Sequence, residues 1–143
     1  MKVKIKKLRE EAIVPTYGSS LAAGADLYSC VDMVINPGET KLVPTGIAFA
    51  IPDGYGMFIY ARSSLATKEG LAPANKVGVV DADYRGEVFV SLYNHSSLVR
   101  NIEKGQRIAQ MVVAPFIKAE FICCDELDDT DRGTGAFGST GKK

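Results

Sequence analysis

This sequence predicts an all-β domain, on two observations. Short β-favouring runs recur between turn signals along most of the chain, and apolar residues inside them alternate instead of recurring at helical spacing. At 143 residues, without a composition shift or a Pro/Ser-rich linker, there is room for one domain with a full core. The first run, VKIKKL, follows Lys2 and carries Lys4, Lys6 and Lys7, which read as a solvated strand face or as edge protection. VDMVI ends at Asn36-Pro37-Gly38 and GIAFAI at Pro52-Asp53-Gly54, both turn signals, and MFIYA and EVFVSLYN follow. Ile47, Phe49 and Ile51 share one strand face, and Val88, Val90 and Leu92 share another, so each strand is expected to bury about one side. One short helix is expected, in SSLATKEG after Arg62. The last runs, RIAQMVV and FIKAEFICC, are apolar enough to bury more than one face, which predicts a homo-oligomer. Closing so many short strands into a barrel or sandwich would protect their edges. Residues 1–124 form the expected barrel. Residues 125–143 form an acidic spacer, Asp125 to Asp131, and a flexible glycine-rich tail.

Composition narrows the function. Seventeen basic residues balance seventeen acidic ones, so no polyanion-coating surface is expected and bulk nucleic-acid binding is excluded. The N-terminus MKVKIKKLREE lacks the apolar stretch of a signal peptide, and no apolar run is long enough to span a membrane. A soluble, cytoplasmic protein is expected. Cys30, Cys123 and Cys124 are odd in number and form no Cys-x-x-Cys pair, so they read as reduced, mostly buried thiols.

Several constellations could carry chemistry. The tail RGTGAFGSTG cannot pack a core. Its glycines allow close backbone approach to a ligand, Arg132 and the hydroxyls of Ser139 and Thr140 offer donors to phosphate, and Phe137 offers a flat ring for a base. A disordered Gly/Ser terminus reads the same residues as plainly. In GVVDADYRGEV, Asp81 at the end of a buried strand would be partly dehydrated and able to orient or deprotonate a water, with Tyr84 as a plate for a sugar. A β-hairpin with Gly86 at positive φ is the structural alternative. ARSSLA places Arg62, Ser63 and Ser64 at a strand-to-helix junction, either an anion site or an ordinary serine N-cap. Gln110 in GQRIAQMVV and Asp26 in AAGADLYS are polar residues in apolar strands and need partners if buried. His95, in the loop NHSS, reads as a solvated loop histidine.

Taken in order, AGADLYS, ARSSLA, GVVDADYRGEV, GQRIAQMVV and RGTGAFGSTG resemble the five motifs of the trimeric dUTPase family, from about Lys4 to Gly141. The chain departs from the family pattern at Ala136 and Ser64, where glycine is usual or frequent, and at Gln106, where aspartate is frequent. The resemblance implies a distorted jelly-roll β-barrel and a homotrimer whose active sites are shared between subunits. It implies hydrolysis of dUTP to dUMP and pyrophosphate, which limits uracil in DNA and supplies dUMP for thymidylate synthesis. It further implies Mg²⁺ held mainly by the substrate phosphates, with Asp26 near its water shell, and Asp81 as the carboxylate that activates the attacking water. Arg62, Ser63, Ser64 and Gln110 correspond to phosphate-binding positions. Asn75, with backbone groups at Gly78 and Val80, corresponds to the uracil-reading segment, and Tyr84 to the ring under deoxyribose. In the tail, Phe137 corresponds to the ring stacked on uracil, while Arg132, Gly138, Ser139 and Thr140 correspond to the closing phosphate clamp.

Two rival readings share parts of this pattern. A dCTP deaminase on the same barrel would match ARSSLA but not DADYRG, and its catalytic glutamate would fall near Ser91, where this chain has no acid. A catalytically silent nucleotide sensor would keep the binding residues but has no need of Asp81.

Overall fold

Among the described residues, 1–136 of a computed structural model, twelve short strands and one helical turn account for the regular structure. Phe137, Gly138, Ser139 and Thr140 lie outside them. The strands are β1 (Lys4–Lys7), β2 (Thr16–Tyr17), β3 (Ala25–Tyr28), β4 (Met33–Ile35), β5 (Thr40–Pro44), β6 (Ile47–Ala50), β7 (Tyr55–Tyr60), β8 (Leu71–Pro73), β9 (Gly78–Val80), β10 (Phe89–Asn94), β11 (Arg100–Ile102) and β12 (Arg107–Pro115). A five-residue π-type helical turn, Leu65–Glu69, is the expected short helix.

Every strand pairing is antiparallel. The largest sheet runs β2-β3-β12-β7-β9, a second runs β5-β10-β8, and two-stranded ladders β1-β6 and β4-β11 complete a distorted jelly-roll-like barrel. Leu27, Ile35, Val43, Ile47, Met57, Leu71, Leu92, Ile102 and Ile108 fill its interior. The alternation expected of β10 holds, with Val88, Val90 and Leu92 buried and Phe89 exposed. In β6 it is blunted, because Ala48 is buried along with Ile47 and Phe49. The buried polar residues are satisfied: Asn94 donates to the carbonyls of Ile35 (3.0 Å) and Leu98 (2.8 Å), and Thr45 Oγ1 donates to Val88 O at 2.7 Å. Such bonds fix a unique strand arrangement, since an unpaired polar atom here would cost more than the bond contributes.

Three expectations change. FIKAEFICC forms no strand; Phe116, Ile117, Phe121 and Ile122 are exposed after β12 ends at Pro115. Cys123 and Cys124 are therefore exposed, and only Cys30 is the buried thiol that was expected, its pKa pushed up by burial. Within the chain, β12 buries Ile108, Ala109 and Met111 and leaves Val112, Val113 and Ala114 half-buried. Finally, the segment around Asp81 is not the alternative hairpin, and neither it nor the loop at Asn75 joins strands that pair with each other. β8 and β10 join one sheet while β9 joins β7 in another, so both loops cross between sheets. No helix among the described residues is long and apolar enough to cross a membrane.

Candidate active site

Two clefts hold most of the sequence-predicted residues that fall among the described ones; Asn75, Gly78 and Arg132 line neither. The first, about 240 Å³, is lined by Asp26, Arg62, Ser63, Ser64, Arg107 and Gln110, with Gly18, Ala22 and Gly24 forming a small-residue wall. Asp26 organises it. Its Oδ1 accepts from Arg62 Nε at 2.8 Å and its Oδ2 from Arg107 Nη1 at 3.3 Å, so one carboxylate aims two guanidiniums. The Asp26 side chain is 13% exposed and that of Arg62 21%, a setting in which a charged group needs these partners. Arg62 Nη1 also reaches Arg107 O at 3.4 Å. Two positive charges against one negative leave the cleft attractive to an anion.

Gln110, half-buried on β12, donates from Nε2 to Ala61 O at 3.0 Å. Its Oε1 lies against Gly24, where an added Cβ would come within 2.9 Å of it, so the glycine makes room for the amide. Ser64 has helical φ and ψ and makes no side-chain capping bond. The N-cap alternative therefore fails for Ser64, and both serines are exposed at the mouth of the cleft.

Arg107 escaped sequence reasoning. Strand alternation puts residues 107 and 110 on opposite faces, but a β-bulge intervenes. Arg107 pairs with Tyr28 while Gln110 pairs with Asp26, two positions apart on β3, so the bulge returns both to one face. A basic residue three before Gln110 carries no signal until that bulge is known.

The second cleft, about 260 Å³, is lined by Val79, Val80, Asp81, Tyr84, Glu87, Val88 and Phe89. Asp81 was expected to be partly dehydrated at the end of a buried strand. In the single chain it is exposed, because β9 is an edge strand whose Val79 is itself 64% exposed. Tyr84 folds back over Gly86: an added Cβ at residue 86 would meet Tyr84 Cζ at 2.6 Å, and Tyr84 OH donates to Glu87 O at 2.9 Å. Gly86 serves this close approach and not the expected positive φ. Gly78 is buried, and a Cβ there would lie 3.2 Å from Ile59 Cβ and 3.5 Å from Asn75 Nδ2, so backbone and amide converge. Arg132 is exposed and donates from Nε to Gly135 O at 3.0 Å. His95 is the exposed loop residue expected, its ring edge-on to Tyr93 at 4.4 Å.

The two clefts sit at opposite ends of β7. Val80 pairs with Met57, so Asp81 lies beside Gly56, whereas Arg62 follows Tyr60 at the other end. Six residues of extended chain separate them, roughly 20 Å.

A dUTPase family profile matches residues 10–141. The deoxyuridine 5'-triphosphate nucleotidohydrolase of Nautilia profundicola is 54% identical over 142 residues, covering 99% of this chain and 100% of that one. That of Hydrogenobaculum sp. is 51% identical over 145 residues, covering both chains completely. Among solved structures, the Staphylococcus bacteriophage 80alpha dUTPase with dUpNHpp superposes with a TM-score of 0.91 at 27% identity, covering 98% of each chain.

Proposed function

The chain belongs to the dUTPase family and hydrolyses dUTP to dUMP, and we propose that it does so by Mg²⁺-assisted attack of an Asp81-activated water on the α-phosphorus, releasing pyrophosphate. The observation that carries this reading is the pair of guanidiniums aimed by Asp26 beside Ser63, Ser64 and Gln110. Planar guanidiniums with neutral donors around them match the oxygens of a triphosphate. Asp81 holds the attacking water and takes its proton. Tyr84, its ring pinned over Gly86, packs under the deoxyribose and leaves no room for a 2′-hydroxyl. Asn75 and the backbone at Gly78 and Val80 read the uracil edge, an amide offering both donor and acceptor. The tail closes last: Phe137 stacks on the base, Gly138 permits close approach, and Arg132, Ser139 and Thr140 clamp the distal phosphates.

The donor set suits a metal that keeps most of its waters. Among the described residues no three His, Cys, Asp or Glu side chains converge on one point, and both Asp26 oxygens already accept from arginine. Asp26 would therefore reach Mg²⁺ through water, the substrate phosphates supplying the direct ligands. When bound, the ion neutralises phosphate charge and aligns the chain of phosphates for in-line displacement.

A homotrimer with shared sites fits the separation of the two clefts. Adjacent phosphorus atoms of a triphosphate are joined through a single oxygen, so a base and a clamp roughly 20 Å apart in one chain must be brought together from different chains. In a cytoplasmic setting the reaction keeps uracil out of DNA and supplies dUMP for thymidylate synthesis. The test is incubation with Mg²⁺ and, separately, dUTP, dTTP, dCTP and UTP, with products resolved by ion exchange. Only dUTP is expected to yield dUMP and one equivalent of pyrophosphate; dUTP formed from dCTP would overturn the assignment. Asp81→Asn is expected to bind dUTP normally and to lose roughly 10²- to 10⁴-fold in turnover.

A further inference from the structure

Glu87 is the acid of the second cleft that the reaction above leaves without a role. It is 13% exposed and makes bonds from every acceptor it has. Oε1 accepts from the Gly46 backbone N–H at 2.8 Å, Oε2 from Arg9 Nη2 at 3.2 Å, and its main-chain carbonyl from Tyr84 OH at 2.9 Å. The chain on both sides of these partners is fastened too: Leu8 N donates to Gly46 O at 2.7 Å and Val88 N to Ile47 O at 2.9 Å. Gly46 is at φ +72°, and a Cβ there would meet Ala12 Cβ at 2.7 Å, so the N-terminal segment packs directly on the residue that Glu87 holds.

We propose that the Arg9–Glu87 pair is a latch that positions the Tyr84 ring and thereby sets discrimination between deoxyribose and ribose. The inference rests on the reading that Tyr84 lies under the sugar. The phenol hydroxyl is anchored to the carbonyl of the residue that the latch immobilises, and Gly86 leaves no side chain to hold the ring from below. The ring's height over the cleft floor therefore follows the position of the Glu87 backbone. Carboxylate bonds to a guanidinium and to an N–H are charge-assisted and short-range, and two of them from one side chain fix its backbone in position and rotation. Glu87 is a positioning residue; it acts through Tyr84.

A merely structural role would lower activity on every nucleotide alike. A positioning role changes the ratio of kcat/KM for dUTP to kcat/KM for UTP. The variants are Glu87→Gln, which keeps an acceptor for Gly46 N–H but removes the charge, and Arg9→Met, a change at a side chain 41% exposed that leaves the core untouched. Tyr84→Ala is the control. With the intact oligomer and Mg²⁺, Tyr84→Ala is expected to lower the ratio at least 30-fold, and Glu87→Gln and Arg9→Met at least fivefold, mainly through a lower KM for UTP. Arg9→Lys is expected to restore most of the ratio lost in Arg9→Met. If Tyr84→Ala lowers the ratio while neither latch variant moves it twofold, or if the latch variants slow both substrates equally, the latch is overturned and the reading of Tyr84 stands. An unchanged ratio in Tyr84→Ala would overturn that reading, and the latch with it.

Discussion

Asp26 decides which way both guanidiniums of the first cleft point, and Arg62, which makes the shorter and better buried of the two pairs, would leave the Asp26 charge short of a partner if removed. Arg107 is the more informative one, since its side chain is 51% exposed and its charge faces the cleft. Arg107→Ala is expected to raise KM for dUTP about tenfold, about 1.4 kcal/mol, with kcat changed less and Tm within a degree or two. An unchanged KM would remove Arg107 from the phosphate site. Asp26 and Gln110 were legible in the sequence because a polar residue in an apolar strand demands a partner, and Arg62 because it precedes two serines at a strand-to-helix junction. Arg107 was hidden, because the bulge that turns it inward is a register shift against β3 and leaves no trace in β12's own alternation. The exposure of Asp81 was hidden for a related reason: the apolar VV before it reads as burial, whereas Val79 lies on the open face of an edge strand.

Strands were read more easily than their partners. Alternation and turn residues located β6, β7, β10 and β12, since these signals are local. The loop before β10 could be read as a hairpin because Asp and Gly mark turns without saying which sheet the next strand joins. The turn joining β4 to β5 holds a titratable acceptor. There Glu39 accepts from Asn36 N–H at 2.8 Å and from Lys41, and these bonds, the backbone one foremost, hold its carboxyl below the ordinary glutamate range. A folded pKa below the unfolded one means the turn contributes stability above the ordinary value, about 4.3, and loses it as pH falls through the lower folded value. Glu39→Gln is therefore expected to melt below wild type at pH 7, with the gap closing in acid. A gap that persists at low pH would mean the charge on Glu39 is not what the turn uses.

At the scale of the whole molecule, exposed apolar residues and the divided site point the same way. Ile117 and Phe121, in the extended segment beyond β12, are both 94% exposed in the single chain, with Phe116 and Ile122 exposed beside them, the kind of apolar run that marks a contact surface. The separation of Asp81 from Arg62 along β7 gives a sharper test, because it concerns chemistry and not surface alone. Asp81→Asn and Arg62→Ala should each be nearly inactive as pure proteins. Mixed in equal amounts, unfolded and refolded together, they should recover activity, since a site that draws its acid from an Arg62→Ala chain and its arginine from an Asp81→Asn chain carries neither lesion. Random assembly of a symmetric oligomer gives about a quarter of the sites that composition, so recovery should approach a quarter of wild-type turnover. Were the acid and the arginine of one site supplied by one chain, every site in the mixture would keep a lesion, and refolding together would recover nothing.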